Sequence, residues 1–277
     1  MDVSVTERSH IRIAEEIELD AWEAMVHAAP PPFAQAVGLA ATKAHGALLL
    51  EARRIPSSMF NRVLGLGIER PTTRDDIDRI VLHYERAGIP SFWVHAGCAS
   101  SPGVLPSMLE ERGFVKPARL TWAKMLRGPE RMPMPSSELS LRTITAEEAP
   151  AFAHVISTAH GMPSAMNPWI ERLTQTPGWV AFAAFERRTL VSGGMLFQKG
   201  DRAWLGLGGT LPEHRGKGGQ GLTMAARIAH ASERGAQHIE TETGEAIAGE
   251  ANISLANMYR FGFRKVCSRQ NFEYRTA

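Results

Sequence analysis

A glycine-rich segment, EHRGKGGQG at residues 213–221, most constrains the fold of this chain, because a stretch with helical periodicity follows it directly. Glycine allows backbone dihedrals that other residues avoid, and it leaves backbone N–H groups uncovered. At the N-terminus of a helix these donors and the helix dipole form an anion site, to which Arg215 and Lys217 add charge-assisted contacts. A glycine pattern alone is more often a flexible surface loop, so the neighbouring elements decide between the two interpretations.

The elements around the loop predict an α+β domain in the second half of the chain. Periodicity and turn residues indicate helices at 146–158, 222–234 and through Asn257 and Tyr259, and strands at 179–185, 190–197, 202–210, 237–243 and from Phe263. Residues 163–178 read as irregular. On the helix after the loop, polar residues form a stripe opposite the apolar face: Thr223, Arg227, His230 and Arg234.

The first half repeats this order weakly. Strands are predicted at 62–68 and 91–95 and helices at 73–87 and 106–112, and Gly113-Phe114 stands where the second half has Gly262-Phe263. Where the second half has its glycine loop, residues 69–75 contain no glycine and carry two carboxylates that would repel a phosphate. The linker RGPERMPMPSSELS separates the halves. We therefore expect a degenerate domain at 1–130, a linker at 131–138 and a phosphate-binding domain at 139–277.

Two common phosphate loops fit this segment poorly. Gly216, Gly218 and Gly221 match the G-x-G-x-x-G pattern of dinucleotide-binding folds, and Glu240 or Glu242 would supply the acidic ribose partner. Too little chain follows for the remaining strands of such a fold, and an antiparallel hairpin rather than βαβ units precedes the loop. A nucleoside-triphosphate loop requires Ser or Thr after the lysine, and Gly218 follows Lys217.

A different family matches the order of motifs. A strand ending in Thr210-Leu211-Pro212, then Arg215-x-x-Gly218, helix, strand, helix and Gly262-Phe263 resembles the GNAT superfamily of acyl-CoA N-acyltransferases. The resemblance covers residues 139–277 well and the first half faintly, as in a tandem form. Gln220 departs from the family, which has Gly or Ala there. The resemblance implies an α+β fold of two GNAT-like domains, each a mixed, mostly antiparallel sheet flanked by helices.

The resemblance also implies acetyl-CoA as co-substrate. The pantetheine arm would enter a gap between residues 207–211 and 239–243, and the pyrophosphate would bind loop amides. A backbone N–H near Thr210 or Leu211 would stabilise the oxyanion. The residues implied in coenzyme binding are Thr210, Leu211, Arg215, Gly216, Lys217, Gly218, Gly219, Gln220, Gly221 and Asn252.

Three residues are candidates for proton transfer. Glu240 and Glu242 share one face of their strand and either accept the proton of the amine or lie on a solvated strand face. By resemblance Tyr259 would protonate the thiolate. The family places this tyrosine one residue earlier, where Met258 stands here, whereas Asn252 at seven residues before Tyr259 matches the family spacing. A structural tyrosine packed on the core is the alternative.

These residues predict an N-acetyltransferase acting on a primary amine, either a small molecule or a peptide. A non-catalytic acyl-CoA sensor and a dinucleotide-dependent oxidoreductase are the alternatives. In the irregular segment, Met166, Asn167 and Trp169 either line the acceptor pocket or cap the core. A net charge of +2 from 31 basic and 29 acidic residues favours neither a nucleic-acid partner nor an acceptor of one charge.

Composition and cysteine spacing indicate the compartment in which we expect the protein. The N-terminus has no apolar segment typical of a secretory signal, and the most apolar stretch, 34–50, is too short and too interrupted to span a membrane. Cys98 and Cys267 lie far apart, which provides neither a disulfide framework nor a zinc site. We expect a soluble, reduced, cytoplasmic protein without a metal; its oligomeric state stays open.

Overall fold

The fold is described by a computed structural model that covers residues 5–55, 57–99, 103–117, 121–245, 247 and 249–276. Its helices are α1 (Val5–His27), α2 (Pro31–Val37), α3 (Arg74–Arg86), α4 (Val104–Glu111), α5 (Ala149–His160), α6 (Asn167–Leu173), α7 (Gly219–Glu233) and α8 (Ile253–Arg260). Its strands are β1 (Leu39–Ala44), β2 (Ala47–Ala52), β3 (Arg62–Leu64), β4 (Ser91–Ala96), β5 (Thr121–Arg127), β6 (Ser140–Thr143), β7 (Trp179–Glu186), β8 (Thr189–Lys199), β9 (Arg202–Thr210), β10 (His238–Gly244) and β11 (Arg264–Arg275).

All these strands form one sheet in the order β1-β2-β3-β4-β11-β5-β10-β9-β8-β7-β6. Two neighbouring pairs are parallel, β3 with β4 in the first half and β9 with β10 in the second. The other pairs are antiparallel. Helices α1, α5 and α6 pack on one face, and α3, α4, α7 and α8 pack on the other. The prediction of an α+β fold with mixed, mostly antiparallel sheets is confirmed.

The two halves exchange their last strands. Strand β5 of the first half lies between β10 and β11, and strand β11 of the second half lies between β4 and β5. This exchange also brings Cys267 on β11 next to the segment after β4, where it forms a disulfide with Cys98 at a Cα–Cα distance of 6.3 Å. The expectation of free, reduced cysteines is therefore wrong, because sequence separation gives no information on a contact made by strand exchange.

Helix α1 crosses β9, β10, β5 and β11 at the junction of the halves. Sequence patterning did not predict it, because its buried face includes two carboxylates, Glu15 and Glu18, among Ala14, Ile17 and Ala21. A helix whose buried stripe contains charges lacks the apolar period that identifies an amphipathic helix. The hairpin of β1 and β2, whose second strand is wholly buried, was also missed.

Two predictions for the second half of the chain are corrected. The polar stripe on α7 is not solvent-exposed along its length, since Thr223 and Arg227 are buried. Residues 163–178 contain helix α6 with Pro168 in its first turn, a position where the missing N–H of proline costs no hydrogen bond. Both errors arise because burial by a neighbouring element cannot be read from local periodicity.

The first half has no free helix N-terminus at the position equivalent to the glycine loop. Thr73 caps α3, and the Asp76 carboxylate accepts hydrogen bonds from the Thr73 amide at 2.9 Å and from Arg70 at 2.7 Å and 2.8 Å. These contacts lower the pKa of Asp76, the Arg70 hydrogen bond being the largest cause. A carboxylate of the chain itself therefore occupies the place of an anionic ligand.

Candidate active site

The site lies where strands β9 and β10 separate. They pair only at His238–Arg202, Ile239–Ala203 and Glu240–Trp204. Beyond this point β10 follows β5 and β9 follows β8. The Thr241 hydroxyl closes the base of the opening by donating a 2.8 Å hydrogen bond to the Leu205 carbonyl. The gap predicted at 239–243 thus begins at Thr241.

A β-bulge shapes the β9 side of the opening. Leu207 and Gly208 face the single residue Gly194, and Leu207 has a positive φ of 47°. Arg227 lies beneath the bulge and donates to the carbonyls of Met195 at 3.1 Å and Gly206 at 3.2 Å. Burial lowers the pKa of Arg227 to about 10, so the guanidinium stays charged at neutral pH. A bulge leaves one residue outside the ladder, which provides an unpaired backbone group beside the gap.

The glycine loop leads into the N-terminus of α7. Gly218 is the N-cap residue with a left-handed φ of 85°, and a Cβ on Gly219 would lie 2.7 Å from the Ser192 Cβ. Glycine is therefore required at 218 for its dihedrals and at 219 for close packing. Within the described part of the chain, the amides of residues 216–221 donate no backbone hydrogen bond, and Leu222 is the first to bond, to Gly218 at 3.0 Å. The loop thus presents free donors at a helix N-terminus.

The two cationic side chains of the loop differ in whether a carboxylate binds them. Arg215 is exposed, and its side chain forms no hydrogen bond or ion pair with another described residue. Lys217 donates to the Glu186 carboxylate at 2.6 Å, and His214 lies 2.8 Å from the same carboxylate. The Lys217 hydrogen bond is the main cause of a lowered pKa of Glu186. A phosphate at the loop would compete with Glu186 for Lys217.

Other residues implied in coenzyme binding already have partners. The Leu211 amide donates to the Val191 carbonyl at 3.0 Å, and the Thr210 hydroxyl lies 2.8 Å from the Ser192 hydroxyl. Asn252 caps α8 through the Leu255 amide and donates to the Gly244 carbonyl at 2.7 Å. The Leu211 amide is thus committed to the sheet.

Gln220 connects the two helices on either side of the opening. Its amide nitrogen donates to the Ser254 hydroxyl at 3.2 Å, and its amide oxygen accepts from Asn257 at 2.7 Å. Gln220 and Ser254 both line the cavity described next. The residue that departs from the GNAT pattern therefore fixes α7 against α8 at the entrance, with its backbone amide still free of a backbone partner among the described residues.

A cavity of about 350 Å³ extends through the opening. Its lining residues come from helices on both faces of the sheet and from both halves of the chain. Trp169 and Met166 line it, as one of the two interpretations of the 163–178 segment expected, whereas Asn167 is absent from the described lining. The Trp169 indole donates to the Met25 carbonyl at 2.7 Å. The aromatic and aliphatic walls include Trp22, Met25, Phe60, Trp122, Trp169, Ile170, Leu173 and Trp204.

Glu240 is buried and the Glu242 side chain is only 7% exposed, so neither glutamate lies on a solvated strand face. Glu242 lines the cavity, and Glu240 lies outside the described lining with a side chain that is 0% exposed. Lys124 on β5 lies 2.6 Å from Glu240 and 3.2 Å from Glu242. Arg269 on β11 lies 3.1 Å from Glu242. Burial raises the pKa of Glu240 to about 8 despite Lys124.

Tyr259 is 50% exposed, and it is not among the described residues that line the cavity. Met258 lines the cavity instead and is 5% exposed. Helix α8 continues regularly to Arg260, and one residue turns a helix by about 100°. The shortened helix end that would aim Tyr259 at the site does not occur, because the regular helix keeps Met258 in that direction.

Arg62 and His160 line the cavity, although neither was assigned a function from the sequence. Arg62 belongs to the degenerate half and reaches the cavity from β3. His160 ends α5 beside Gly208 and Gly209, and desolvation lowers its pKa while the Gly208 backbone acts in the opposite direction. The sequence signal available for His160 was a histidine just after the predicted helix at 146–158. Nothing in the sequence near Arg62 indicates that it contacts a site in the other half.

The whole chain resembles solved GNAT structures. A GCN5-related N-acetyltransferase from Kribbella flavida is 15% identical, with 96% of each chain covered and a TM-score of 0.65. A GCN5-related N-acetyltransferase from Sphaerobacter thermophilus is 13% identical, covering 84% of this chain and 81% of that one at a TM-score of 0.62. A tandem GNAT protein from the clavulanic acid biosynthesis pathway is 16% identical, covering 83% and 78% at a TM-score of 0.60.

No family model and no curated protein matches the chain. Over the described ranges, no group of three His, Cys, Asp or Glu side chains could hold a metal ion. None of the helices in the described part is long and apolar enough to cross a membrane. The coverage and TM-scores of these structures show that the chain has the tandem fold of the GCN5-related N-acetyltransferases.

Proposed function

We propose that this protein is an N-acetyltransferase that moves the acetyl group of acetyl-CoA to a primary amine by direct attack. One observation carries the proposal: the opening between β9 and β10 joins a helix N-terminus with free amides to a cavity that contains a carboxylate. The coenzyme diphosphate would bind residues 215–221, and the pantetheine arm would lie along β9 toward the bulge. The first half would serve as a scaffold without its own coenzyme.

The chemistry uses groups of this chain. Glu242 accepts the ammonium proton, directly or through water, and the amine nitrogen then bonds to the thioester carbonyl carbon. An amide of the bulge at 207–208 donates to the oxyanion. The carbon–sulfur bond then breaks, and the second proton of the attacking nitrogen passes through water at the exposed end of the opening to the departing thiolate. A thiol with a pKa of about 8.5 is a good leaving group, so this route does not depend on Tyr259.

The test is calorimetric titration of coenzyme A into the wild-type protein and two glycine variants. Gly218→Val places a side chain in the cradle at a φ of 85°, and Gly235→Val places the same residue at a φ of 87° beyond the other end of α7. We expect Gly218→Val to weaken coenzyme binding at least tenfold and Gly235→Val to leave it within about twofold. Absence of coenzyme binding by the wild-type protein would refute the proposal.

Transfer is tested separately by following free thiol release with a panel of amines. Tight coenzyme binding without transfer to any amine would instead favour the non-catalytic sensor.

A further inference from the structure

Arg62 is a buried cation with unused hydrogen-bond donors. The residue is 3% exposed, and its guanidinium lies 3.9 Å from the centre of the Trp22 ring. Its Nε donates to the Met59 carbonyl at 2.6 Å. Among the described residues no other side-chain hydrogen bond and no carboxylate within ion-pair distance accompanies it. Arg62 lines the cavity, so its free N–H groups are available to a ligand there.

The other buried arginines do not share this property. Arg227 donates to the carbonyls of Thr223, Met195 and Gly206. Arg269 is paired with Glu18 and Glu242. A guanidinium has five N–H donors, and a buried charge is costly when its donors lack partners. The fourth buried arginine, Arg127, donates to the carbonyls of Gly128, Phe261 and Glu130. Among the described residues, Arg62 alone of the four combines a single hydrogen bond with no carboxylate within ion-pair distance, and Glu18 and Glu242 act on it only from farther away. The remaining donors of Arg62 are therefore open to an anionic group of a ligand.

The cavity that contains this cation has a single acidic residue in its described lining. Glu242 is the one carboxylate among the described lining residues, and its side chain is 7% exposed. The remaining walls are mainly aromatic and aliphatic. A polyamine or an aminoglycoside carries several ammonium groups and would meet too few carboxylates here. An amine that also carries an anion on an apolar body matches both charges and the walls.

We propose that the acceptor is an amino-acid-like amine, in which the primary amine and a carboxylate are borne on an apolar or aromatic skeleton. This inference rests on the proposed acetyl transfer at the same cavity. The ammonium faces Glu242 and the carboxylate receives the free N–H groups of Arg62. On acetylation the nitrogen bonds to the acyl carbon as the carbon–sulfur bond breaks, and it loses two protons, one to Glu242 and one through water to the departing thiolate. The acceptor carboxylate is unchanged. Arg62 is a specificity-determining residue in this scheme.

The experiment compares acceptors that differ only in the anion. Thiol release from acetyl-CoA is followed with L-phenylalanine, L-phenylalaninamide, L-leucine, L-leucinamide and spermidine. A charge-assisted pair with a buried guanidinium predicts that kcat/KM for each acid exceeds that for its amide by about tenfold to a hundredfold. Equal use of acid and amide by the wild-type protein, or preference for spermidine, would overturn the inference.

Two substitutions assign the preference to Arg62. Arg62→Gln should reduce the ratio of acid to amide to about twofold by raising KM for the acids. Arg62→Lys keeps the charge and should retain part of the ratio. An acid preference that survives intact in Arg62→Gln would contradict the role of Arg62. If Arg62→Gln does not fold, Arg62→Lys and the wild-type acid-to-amide ratio still decide.

A binding measurement separates this inference from the proposed transfer. N-acetyl-L-phenylalanine and its amide are titrated by calorimetry into the wild-type protein saturated with coenzyme A. Tighter binding of the acid supports the anion site even if no acceptor is turned over, in which case only the transferase proposal fails. Equal affinities of the acid and the amide would refute the anion site whatever the activity.

Discussion

The Lys124 ammonium lies 2.6 Å from the Glu240 carboxylate, and both side chains are 0% exposed. Lys124 belongs to β5 of the first half and Glu240 to β10 of the second, so the exchanged strand delivers this contact. The same ammonium lies 3.0 Å from Glu18 and 3.2 Å from Glu242. Lys124 of the first half therefore supplies the cation that lies between Glu240 and Glu242 of the second half, the half that also contains the glycine loop.

Replacing Lys124 by Met should destabilise the protein strongly. Removing this cation leaves Glu18, Glu240 and Glu242 in a buried cluster with Arg269 as the remaining cation, and breaking such a network costs about 3–5 kcal/mol. Urea denaturation at neutral pH measures the free energy of unfolding. Lys199→Met is the matched control, because Lys199 pairs with Asp20 at 2.6 Å on the surface and is 63% exposed. We expect that control to lose less than about 1 kcal/mol, and similar losses for both variants would argue against the buried network.

The stability of the protein should depend on the titration of Glu240. Its pKa is raised from 4.5 to about 8, with burial as the largest cause. As pH rises from about 5 to 8, the unfolded chain releases this proton while the folded protein retains it, so the free energy of unfolding falls. Glu240→Gln resembles the protonated form and removes that loss.

Denaturation at both ends of this pH window checks the effect. Between about pH 5 and pH 8, the free energy of unfolding should decrease less in Glu240→Gln than in the wild type, by on the order of 2 kcal/mol. Parallel pH profiles of the variant and the wild type would show that Glu240 is ionised in the folded state throughout.

Glu242→Gln should lower turnover without weakening the coenzyme complex. The variant removes the base that lines the cavity, and loss of general base catalysis costs about a hundredfold or more. Tyr259→Phe is the comparison, because its ring is half exposed outside the cavity, and we expect a change below about twofold. Steady-state turnover and coenzyme titration measure both effects. A loss of turnover in Tyr259→Phe well over tenfold would restore the tyrosine as the general acid.

Glu186→Gln should strengthen coenzyme binding. The Glu186 carboxylate holds Lys217 at 2.6 Å and lies near His214, and a bound diphosphate must compete for that ammonium. Because the pair is partly exposed, its strength is modest, and we expect affinity for coenzyme A to rise about two- to fivefold. Calorimetric titration at low and high salt measures the gain, which should shrink with salt. Weaker binding by Glu186→Gln would mean that Glu186 orients Lys217 toward the ligand.

The sequence by itself determined the local features. The glycine loop and the helix after it follow from local dihedral freedom and periodicity, and the order of elements from β7 to β11 was predicted correctly. The degenerate first half was also recognised, because the carboxylates at 69–75 are visible in the sequence. The structure adds the cap formed by Thr73 and Asp76. All these features depend on residues close together in the chain.

Only the tertiary structure decided what the site contains. Strand exchange brings Lys124 to within 2.6 Å of Glu240 and places Cys267 next to Cys98. Strand β3 of the first half also contributes Arg62 to the lining of the cavity. Helix α1 was missed for the same reason, since its buried Glu18 is paired with Lys124 of β5 and Arg269 of β11. Charges that are neutralised by distant strands look like solvent-exposed residues in a sequence, because periodicity records only the burial of apolar side chains.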